Sequence, residues 1–292
     1  MARYPEDLER WRAAGRIAAE ARELGASLAV PGASRRAIAD RIEARIRELG
    51  AEPGFPANLS RNVEAAHYTP SPDDPATLSE GDLLKVDVGA HLDGALSDTA
   101  MTVEVGGGRR HERLIRASRE ALAAAIARVR PDGPINDLSV AIERAIRGLG
   151  FKPVENLMGH SIERYLLHAG VSVPNVSGLS DGRLFEGQII AIEPFATNGA
   201  GAIENGPFGN IVRFRADPGP DDPGVARLFQ RVRTLPFTAR YLDEGGRAAL
   251  ARAKRRLQTY PVFVESGGGL VSQAEHTVLV TATGAEVLTA GP

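Results

Sequence analysis

Apolar residues recur at helical spacing in two segments that lie one hundred residues apart. The matching positions are Pro31, Ile38, Ile42, Ile46, Leu49 and Gly50 in the first copy, and Pro131, Leu138, Ile142, Ile146, Leu149 and Gly150 in the second. Most of these positions fall three or four residues apart, which is the spacing of one buried helix face. The final glycine is typical of a left-handed cap at a helix C-terminus. Another helical segment precedes each copy, at residues 6–27 and 110–129.

Each copy is followed by a histidine and then by a buried strand. The histidines are His67 and His160, which we expect to mirror each other in the two halves. The two strands share one apolar pattern, at residues 80–87 and 186–193. Their last residues, Asp87 and Glu193, therefore take equivalent places. A repeat of this length exceeds the unit of a solenoid and predicts an α+β fold of two similar halves, with helices covering one joined sheet.

A hairpin is predicted around the dipeptide Asp93-Gly94, which is a strong turn signal. Folding the chain near residues 92–93 brings Asp87 and Asp98 onto one face of the sheet as cross-strand neighbours. We expect their Cβ atoms to lie about 4.5–5.5 Å apart. Two unpaired carboxylates at that distance repel each other, and cations relieve the repulsion.

The repeat pattern stops after Glu193, and residues 206–260 form an insertion. Helical segments are expected near 223–235 and 246–258. The insertion contains eleven basic and five acidic residues. We predict a helical subdomain at 206–260, packed on a catalytic domain formed by residues 1–205 and 261–292. Its positive face is interpreted first as a solvated surface and second as a docking surface.

Composition narrows the function classes. The chain has 292 residues, of which 43% are hydrophobic, and a formal charge of −2, which argues against mainly electrostatic binding to nucleic acid or membrane. It contains no cysteine, so thiolate zinc sites and cysteine nucleophiles are excluded. The first residues are charged where a signal peptide would be apolar. A cytoplasmic protein is the expectation.

Five residues of the kinds that bind metals stand in buried-strand contexts far apart in the chain. They are Asp87, Asp98, His160, Glu193 and Glu275. Four carboxylates and one imidazole suit a pair of divalent cations that share an activated water. The pattern indicates a dinuclear metallohydrolase.

These contexts resemble those of methionine aminopeptidases of the second type, in their compact archaeal-like form. The similar segments are residues 62–70, 85–89, 97–100, 159–162, 191–195 and 275–277. The resemblance covers nearly the whole chain. It implies the duplicated "pita-bread" fold, with a curved, mostly antiparallel sheet and a helical insertion. It also implies removal of the N-terminal methionine from nascent proteins with a small second residue.

The resemblance also implies roles for single residues. Asp87 would chelate one ion, Asp98 and Glu275 would bridge two, and His160 and Glu193 would complete the second. The water shared by the ions would attack the first peptide carbonyl. His67 would donate to the peptide, His168 would stabilise the oxyanion, and Glu193 would act as general base. The residues expected to line the methionine pocket are Phe55, Leu167, Pro236 and Tyr260, beside His67 and His168. The ligand set suits Mn, Fe, Co or Zn, without choosing among them.

Two alternatives stay open at this point. One is a proline-specific peptidase of the same fold, which usually has a separate amino-terminal domain. The other is a metal-free relative that binds proteins and has lost ligands. The expected partners are nascent polypeptide N-termini, with a transient ribosome contact kept open, and the expected state is a monomer. His276 is expected on the opposite sheet face from Glu275, and His91 and His111 on the surface.

Overall fold

The computed structural model describes residues 4–291 and contains six α-helices in that range. The helices are α1 (Leu8–Ser27), α2 (Arg35–Glu48), α3 (Glu112–Ile126), α4 (Ile135–Gly148), α5 (Pro223–Val232) and α6 (Glu244–Ala253). Short 3-10 helices occupy Ala239–Tyr241 and Lys254–Arg256. The four helices predicted from the repeat are present. Gly50 and Gly150 follow α2 and α4 with φ angles of 84° and 81°, as expected of left-handed caps.

Fifteen strands are found in the same range. The strands of the first half are β1 (Glu52–Pro53), β2 (Asn58–Arg61), β3 (Glu64–Ala66), β4 (Leu83–Leu92) and β5 (Ala95–Glu104). Those of the second half are β6 (Lys152–Pro153), β7 (Met158–Ser161), β8 (Ser172–Pro174), β9 (Ile189–Ile192) and β10 (Phe195–Thr197). The remaining strands are β11 (Ile203–Phe214), β12 (Leu257–Glu265), β13 (Val271–Gln273), β14 (His276–Thr281) and β15 (Gly284–Val287). All pairings among them are antiparallel.

The strands form four sheets. In the first half, β1 and β2 pair with one edge of β4, and β5 pairs with the other. In the second half, the order is β15-β14-β9-β7-β8. Smaller sheets have the orders β13-β10-β6 and β11-β12-β3. A two-way backbone bridge between Ala100 and Glu275 joins the halves. The predicted α+β duplication is therefore present.

One predicted equivalence between the halves is wrong. On β7, His160 lies opposite Ala191, whereas on β2 it is Ser60 that lies opposite Lys85. Lys85 and Ala191 are matched positions of the repeat, so His160 corresponds to Ser60 and not to His67. His67 follows β3, which pairs with β12. The order of histidines along the chain suggested a symmetry that the strand register does not have.

The insertion begins and ends in long strands. Residues 206–214 and 257–260, which fall within the predicted limits of 206–260, belong to β11 and β12. The second predicted helix ends earlier than expected because Leu257 already pairs with Phe214 in the β ladder. Helices α5 and α6 share a hydrophobic cluster with Phe214 and Phe237. Treating this region as a separate subdomain stays a prediction.

A buried ion pair connects the insertion to the first half. The two Nη atoms of Arg240 donate to the two carboxylate oxygens of Glu43 at 2.7 and 2.8 Å, and both side chains are about 4% exposed or less. The same guanidinium donates to the Pro70 carbonyl at 2.9 Å and to Thr69 Oγ1 at 3.1 Å. Glu43 also accepts the backbone N–H of Ala57 at 3.1 Å. The pair therefore fixes the insertion against segments next to the pocket described below.

We predict that Arg240→Met destabilises the protein by about 3–5 kcal/mol, because Glu43 is left buried without a counter-charge. The free energy of unfolding in urea measures this effect. Arg247→Met is the matched control, since Arg247 is an exposed arginine of α6. The double variant Glu43→Gln/Arg240→Met should recover part of the loss. An Arg240→Met protein as stable as Arg247→Met would contradict this role for the pair.

Candidate metal centre

The sheet halves bring all the predicted site residues to one pocket. Asp87 lies on β4, Asp98 on β5 and His160 on β7, while Glu193 follows β9 and Glu275 lies between β13 and β14. The pocket is lined by Phe55, Asn58, Ala66, His67, Asp87, Asp98, His160, Leu167, His168, Glu193, Ile211, Pro236, Tyr260 and Glu275. Residues separated by more than two hundred positions in the chain are thus neighbours. The roles given to each of them remain predictions.

In the hairpin that carries the two aspartates, the strands pair two residues away from the predicted register, in which Asp87 and Asp98 lay opposite each other. Asp93 and Gly94 have φ angles of 50° and 82° and form a two-residue turn, so that Leu92 pairs with Ala95. Asp98 is therefore opposite Gly89, and Asp87 is opposite Ala100. The two carboxylates share a face, as predicted, but they are diagonal neighbours. The prediction that Asp87 and Asp98 lie directly opposite each other is wrong, because the turn leaves both Asp93 and Gly94 unpaired and the pairing begins at Leu92 and Ala95.

Three of the predicted ligands form the tightest group. Asp98, His160 and Glu275 each offer a ligand atom, and these atoms lie within 4.8 Å of one another. His160 Nε2 is 3.5 Å from Asp98 Oδ2 and 3.6 Å from Glu193 Oε1. Asp87 lines the same pocket beside this group. The arrangement offers oxygen and nitrogen donors from both halves of the fold.

Burial makes the carboxylates hard to ionise together. It raises the pKa of Asp98 to about 7 and holds the pKa of Asp87 well above its usual range, with the charge of Asp98 adding to the effect at Asp87. The pKa values of Glu193 and Glu275 are also well above the ordinary value, through burial first and repulsion by the neighbouring carboxylates second. Burial lowers the pKa of His160 to about 4, so its imidazole is neutral at pH 7. A neutral imidazole is the form that binds metals.

The donor set fits divalent cations. Asp87 Oδ1, Asp98 Oδ1 and Glu275 Oε1 are buried and accept no hydrogen bond from any residue in the described range 4–291. Buried polar atoms are normally satisfied, so these oxygens need another partner. Positive charge would also relieve the repulsion that raises the carboxylate pKa values. Asp87, Asp98, His160, Glu193 and Glu275 are together the residues suited to hold such ions.

Two amide side chains support the carboxylates and were missed in the sequence. Gln273 Nε2 lies 3.4 Å from both Asp87 Oδ2 and Glu275 Oε2, and Asn58 Nδ2 lies 3.4 Å from Asp87 Oδ2. Gln273 could have been found, since it stands two residues before Glu275, as same-face strand positions do. Asn58 carries no such local signal, because only the pairing of β2 with β4 places it opposite Asp87.

Two threonines bond the backbone of Asp98 and Glu275 where the two halves of the sheet meet. Thr277 Oγ1 lies 2.7 Å from both the backbone nitrogen and the carbonyl oxygen of Asp98. Thr99 Oγ1 donates to the carbonyl oxygen of Glu275 at 2.8 Å. These bonds fix the backbone of Asp98 relative to that of Glu275.

Two further histidines lie beside the carboxylates. His67 has a left-handed φ of 66°, an uncommon conformation for a residue with a side chain, and its ring packs against Tyr260 and Phe263. Burial lowers the pKa of His67 to about 4 and that of His168 well below its usual value. The ring centroids of His168 and His160 are 4.4 Å apart. Both are neutral near pH 7, and each can donate one N–H.

The other histidines lie outside the pocket. His276 Nδ1 is 2.9 Å from Thr289 Oγ1, away from the carboxylates, as predicted from strand alternation. His91 is only partly exposed: it accepts the N–H of Gly94 at 3.2 Å and packs against Tyr165. His91 thus keeps part of the expected surface exposure, while the hairpin turn covers the rest of its ring. His111, also expected on the surface, is partly exposed just before α3.

Comparison with known proteins decides the family. The sequence profile of metallopeptidase family M24 matches residues 9–282. The chain belongs to this family. A methionine aminopeptidase of Thermococcus kodakarensis is 45% identical over 288 residues, covering 94% of this chain and 97% of that protein. Membership in a metallopeptidase family implies the use of divalent metal, and the resemblance to archaeal methionine aminopeptidases is confirmed.

Solved structures show the same fold. The methionine aminopeptidase from Thermotoga maritima superposes with a TM-score of 0.74 at 25% identity, with 99% of each chain covered. The prolidase from Pyrococcus furiosus gives 0.65 at 18% identity, covering all of this chain and 66% of that one, and shows the fold alone. The predicted pita-bread architecture is confirmed. None of the helices in residues 4–291 is both long and apolar enough to cross a membrane.

The electrostatics of the cluster predict how metal-free protein responds to pH. A carboxylate with a raised folded-state pKa stabilises the fold at low pH, and this contribution is lost as the pH rises through that pKa. The buried histidines act in the opposite sense, but only below about pH 6.5, where the unfolded chain takes up their protons. Between about pH 6.5 and 8, the melting temperature of chelator-treated protein should fall. Added Mn²⁺ should remove most of this fall.

Two variants give this experiment its controls. Asp98→Asn removes one of the repelling charges and should flatten the metal-free profile. Glu80→Gln removes an exposed carboxylate ahead of β4 and should leave the profile unchanged. A metal-free profile that is already flat, and that Mn²⁺ does not shift, would contradict the electrostatic account of the site.

Proposed function

We propose that this protein is a dinuclear metal-dependent aminopeptidase that removes N-terminal methionine from nascent proteins with a small second residue. The observation that carries the proposal is one pocket in which buried carboxylates and neutral imidazoles face an apolar wall. The likeness to archaeal methionine aminopeptidases over almost the full chain supports the same function.

Two cations would be held by Asp87, Asp98, His160, Glu193 and Glu275, with Asp98 and Glu275 shared between them. The tightest ligand group contains both of these carboxylates, together with His160. When bound, the cations supply Lewis acidity and lower the pKa of water. Mn, Fe, Co and Zn all suit this donor set.

The side chains of the pocket have separable tasks at the scissile bond. His168 would donate to the carbonyl oxygen as negative charge develops there, which is a role for a preorganised neutral donor. His67 would donate to the peptide, with its ring held against Tyr260 and Phe263. Glu193, whose pKa is raised, is suited to take a proton from water and return it to the leaving amine. The remaining acidic side chains would hold the substrate's free α-amino group.

The apolar wall gives the preference for methionine. Phe55 is 4% exposed, Leu167 8% and Tyr260 9%, so these apolar side chains are shielded from solvent. Pro236 from the insertion lines the same pocket. An unbranched thioether fits such a wall and adapts to its shape. A charged first residue would be buried there without a partner, which is costly.

The proline-specific alternative is less well supported. The chain spans 66% of the prolidase whose fold it shares, and that likeness carries no activity. The protein-binding alternative requires lost ligands, whereas the predicted ligands are all at the pocket. Nascent chains as partners, a ribosome contact through the basic insertion, the monomeric state and the cytoplasmic location stay predictions.

We predict that Asp98→Ala and His67→Ala both abolish most turnover, for different reasons. Asp98→Ala removes a shared ligand, so bound metal should fall below two ions per chain. His67→Ala should keep both ions and lose about 10²–10³ in kcat, the usual cost of one hydrogen-bond donor to developing charge. Metal content by mass spectrometry and turnover of Met-Ala-Ser separate the two roles. Normal metal content in Asp98→Ala, or loss of metal in His67→Ala, would contradict them.

The specificity of the pocket can be measured with a small set of peptides. Met-Ala should be the best substrate, and norleucine-Ala should be a usable but poorer one, because a small apolar change costs only about 1–3 kcal/mol. Val-Ala and Met-Lys should be much poorer, through the branched first side chain and the large second one. Preference for Ala-Pro over Met-Ala would support the proline-specific alternative. No turnover with two metals bound would support the protein-binding alternative.

A further inference from the structure

The pocket continues outward along two paired strands. Ile211 on β11 and Tyr260 on β12 lie directly opposite each other, and both line the pocket. Two residues further along each strand, Arg213 lies directly opposite Gln258. The ladder has no bulge between these two pairs. Side chains two residues apart on a strand share a face, so Arg213 and Gln258 form the next rung on the pocket face.

The packing of the intervening residues supports this orientation. Phe214, which alternates with Arg213, is fully buried against the helices of the insertion, and Val212 packs against the same cluster. The side chain of Arg213 therefore points to the other face of the strand, where it is partly exposed at the rim of the pocket.

The guanidinium of Arg213 is held but not neutralised. Its Nε donates to Gln258 Oε1 at 3.0 Å, which fixes the side chain along the ladder. In the part of the chain that the structure describes, Arg213 forms no salt bridge, unlike Arg240 and Arg252 of the same insertion. Its Nη groups are therefore available to a ligand. A second arginine, Arg215, follows just after the end of β11.

We propose that Arg213 forms a subsite that favours an acidic side chain at the third residue of the peptide substrate. The proposal rests on the aminopeptidase function proposed above. Same-face positions on a strand lie about 6.6 Å apart, and an extended peptide covers that distance with two residues. With the first residue at the Tyr260 rung and the peptide leaving along the strands, the third residue lies level with Arg213. A guanidinium at that place attracts carboxylates and repels ammonium groups.

The test uses C-terminally amidated peptides Met-Ala-Xaa-Gly-Gly, in which Xaa is Asp, Asn or Lys. Amidation removes the terminal carboxylate, which could otherwise occupy the same subsite. For the wild-type metalloenzyme, kcat/KM should be about two- to tenfold higher with Asp than with Lys, as expected of an exposed charge interaction. The difference should shrink at high salt. Moving Asp to the fifth residue should remove most of the preference.

Variants identify the residue responsible. Arg213→Gln should bring Asp and Lys peptides to within about twofold of each other, while it retains turnover of the Asn peptide. Arg227→Gln is the matched control, since it removes the same charge from the exposed side of α5 and should keep the wild-type order. A wild type that turns over the Asn peptide without distinguishing Asp from Lys would overturn the subsite alone, as would a preference unchanged in Arg213→Gln. A wild type that cleaves none of the peptides would overturn the proposed function as well.

Discussion

The structure depends on the burial of three carboxylates, beside which a fourth, Glu193, lines the same pocket partly exposed. Asp87, Asp98 and Glu275 are each less than one-tenth exposed, and their raised pKa values express the cost of that burial and of their mutual repulsion. The backbone offsets part of this cost where it joins the sheet halves. The bridge between Ala100 and Glu275 and the two threonine contacts hold the ligand strands together against the repulsion. Bound cations would supply the charge that the chain itself does not provide.

The duplication explains how the site is built and where it departs from symmetry. Asp87 and Glu193 come from equivalent strands of the two halves, so one ancestral position yields two carboxylates. His160 has no such counterpart, because Ser60 stands at the equivalent position of the first half. The insertion adds what neither half contains: Pro236 at the apolar wall and Arg213 at its rim. The buried pair of Arg240 with Glu43 holds that addition in place.

Much of this could be predicted from the sequence, because periodicity and local context carry it. The helices of the repeat, the turn at Asp93-Gly94 and the set of residues at the pocket all follow from patterns within a few residues. What was missed depends on register. The diagonal placement of Asp87 and Asp98, the equivalence of His160 with Ser60, and the contact of Asn58 with Asp87 are set by which residues pair across strands. The two-residue turn at Asp93-Gly94 sets the first of these, but no local pattern contains the other two. The partial cover of His91 likewise depends on how the turn folds back.

The central claim is that two divalent cations occupy the carboxylate cluster. Crystals of the protein loaded with Mn²⁺, with diffraction recorded at the manganese absorption edge, test it most directly. We expect two anomalous peaks per chain, roughly 3.5–4 Å apart, with Asp98 and Glu275 contacting both and His160 contacting one. A single peak, or peaks at a distance from these side chains, would contradict the account.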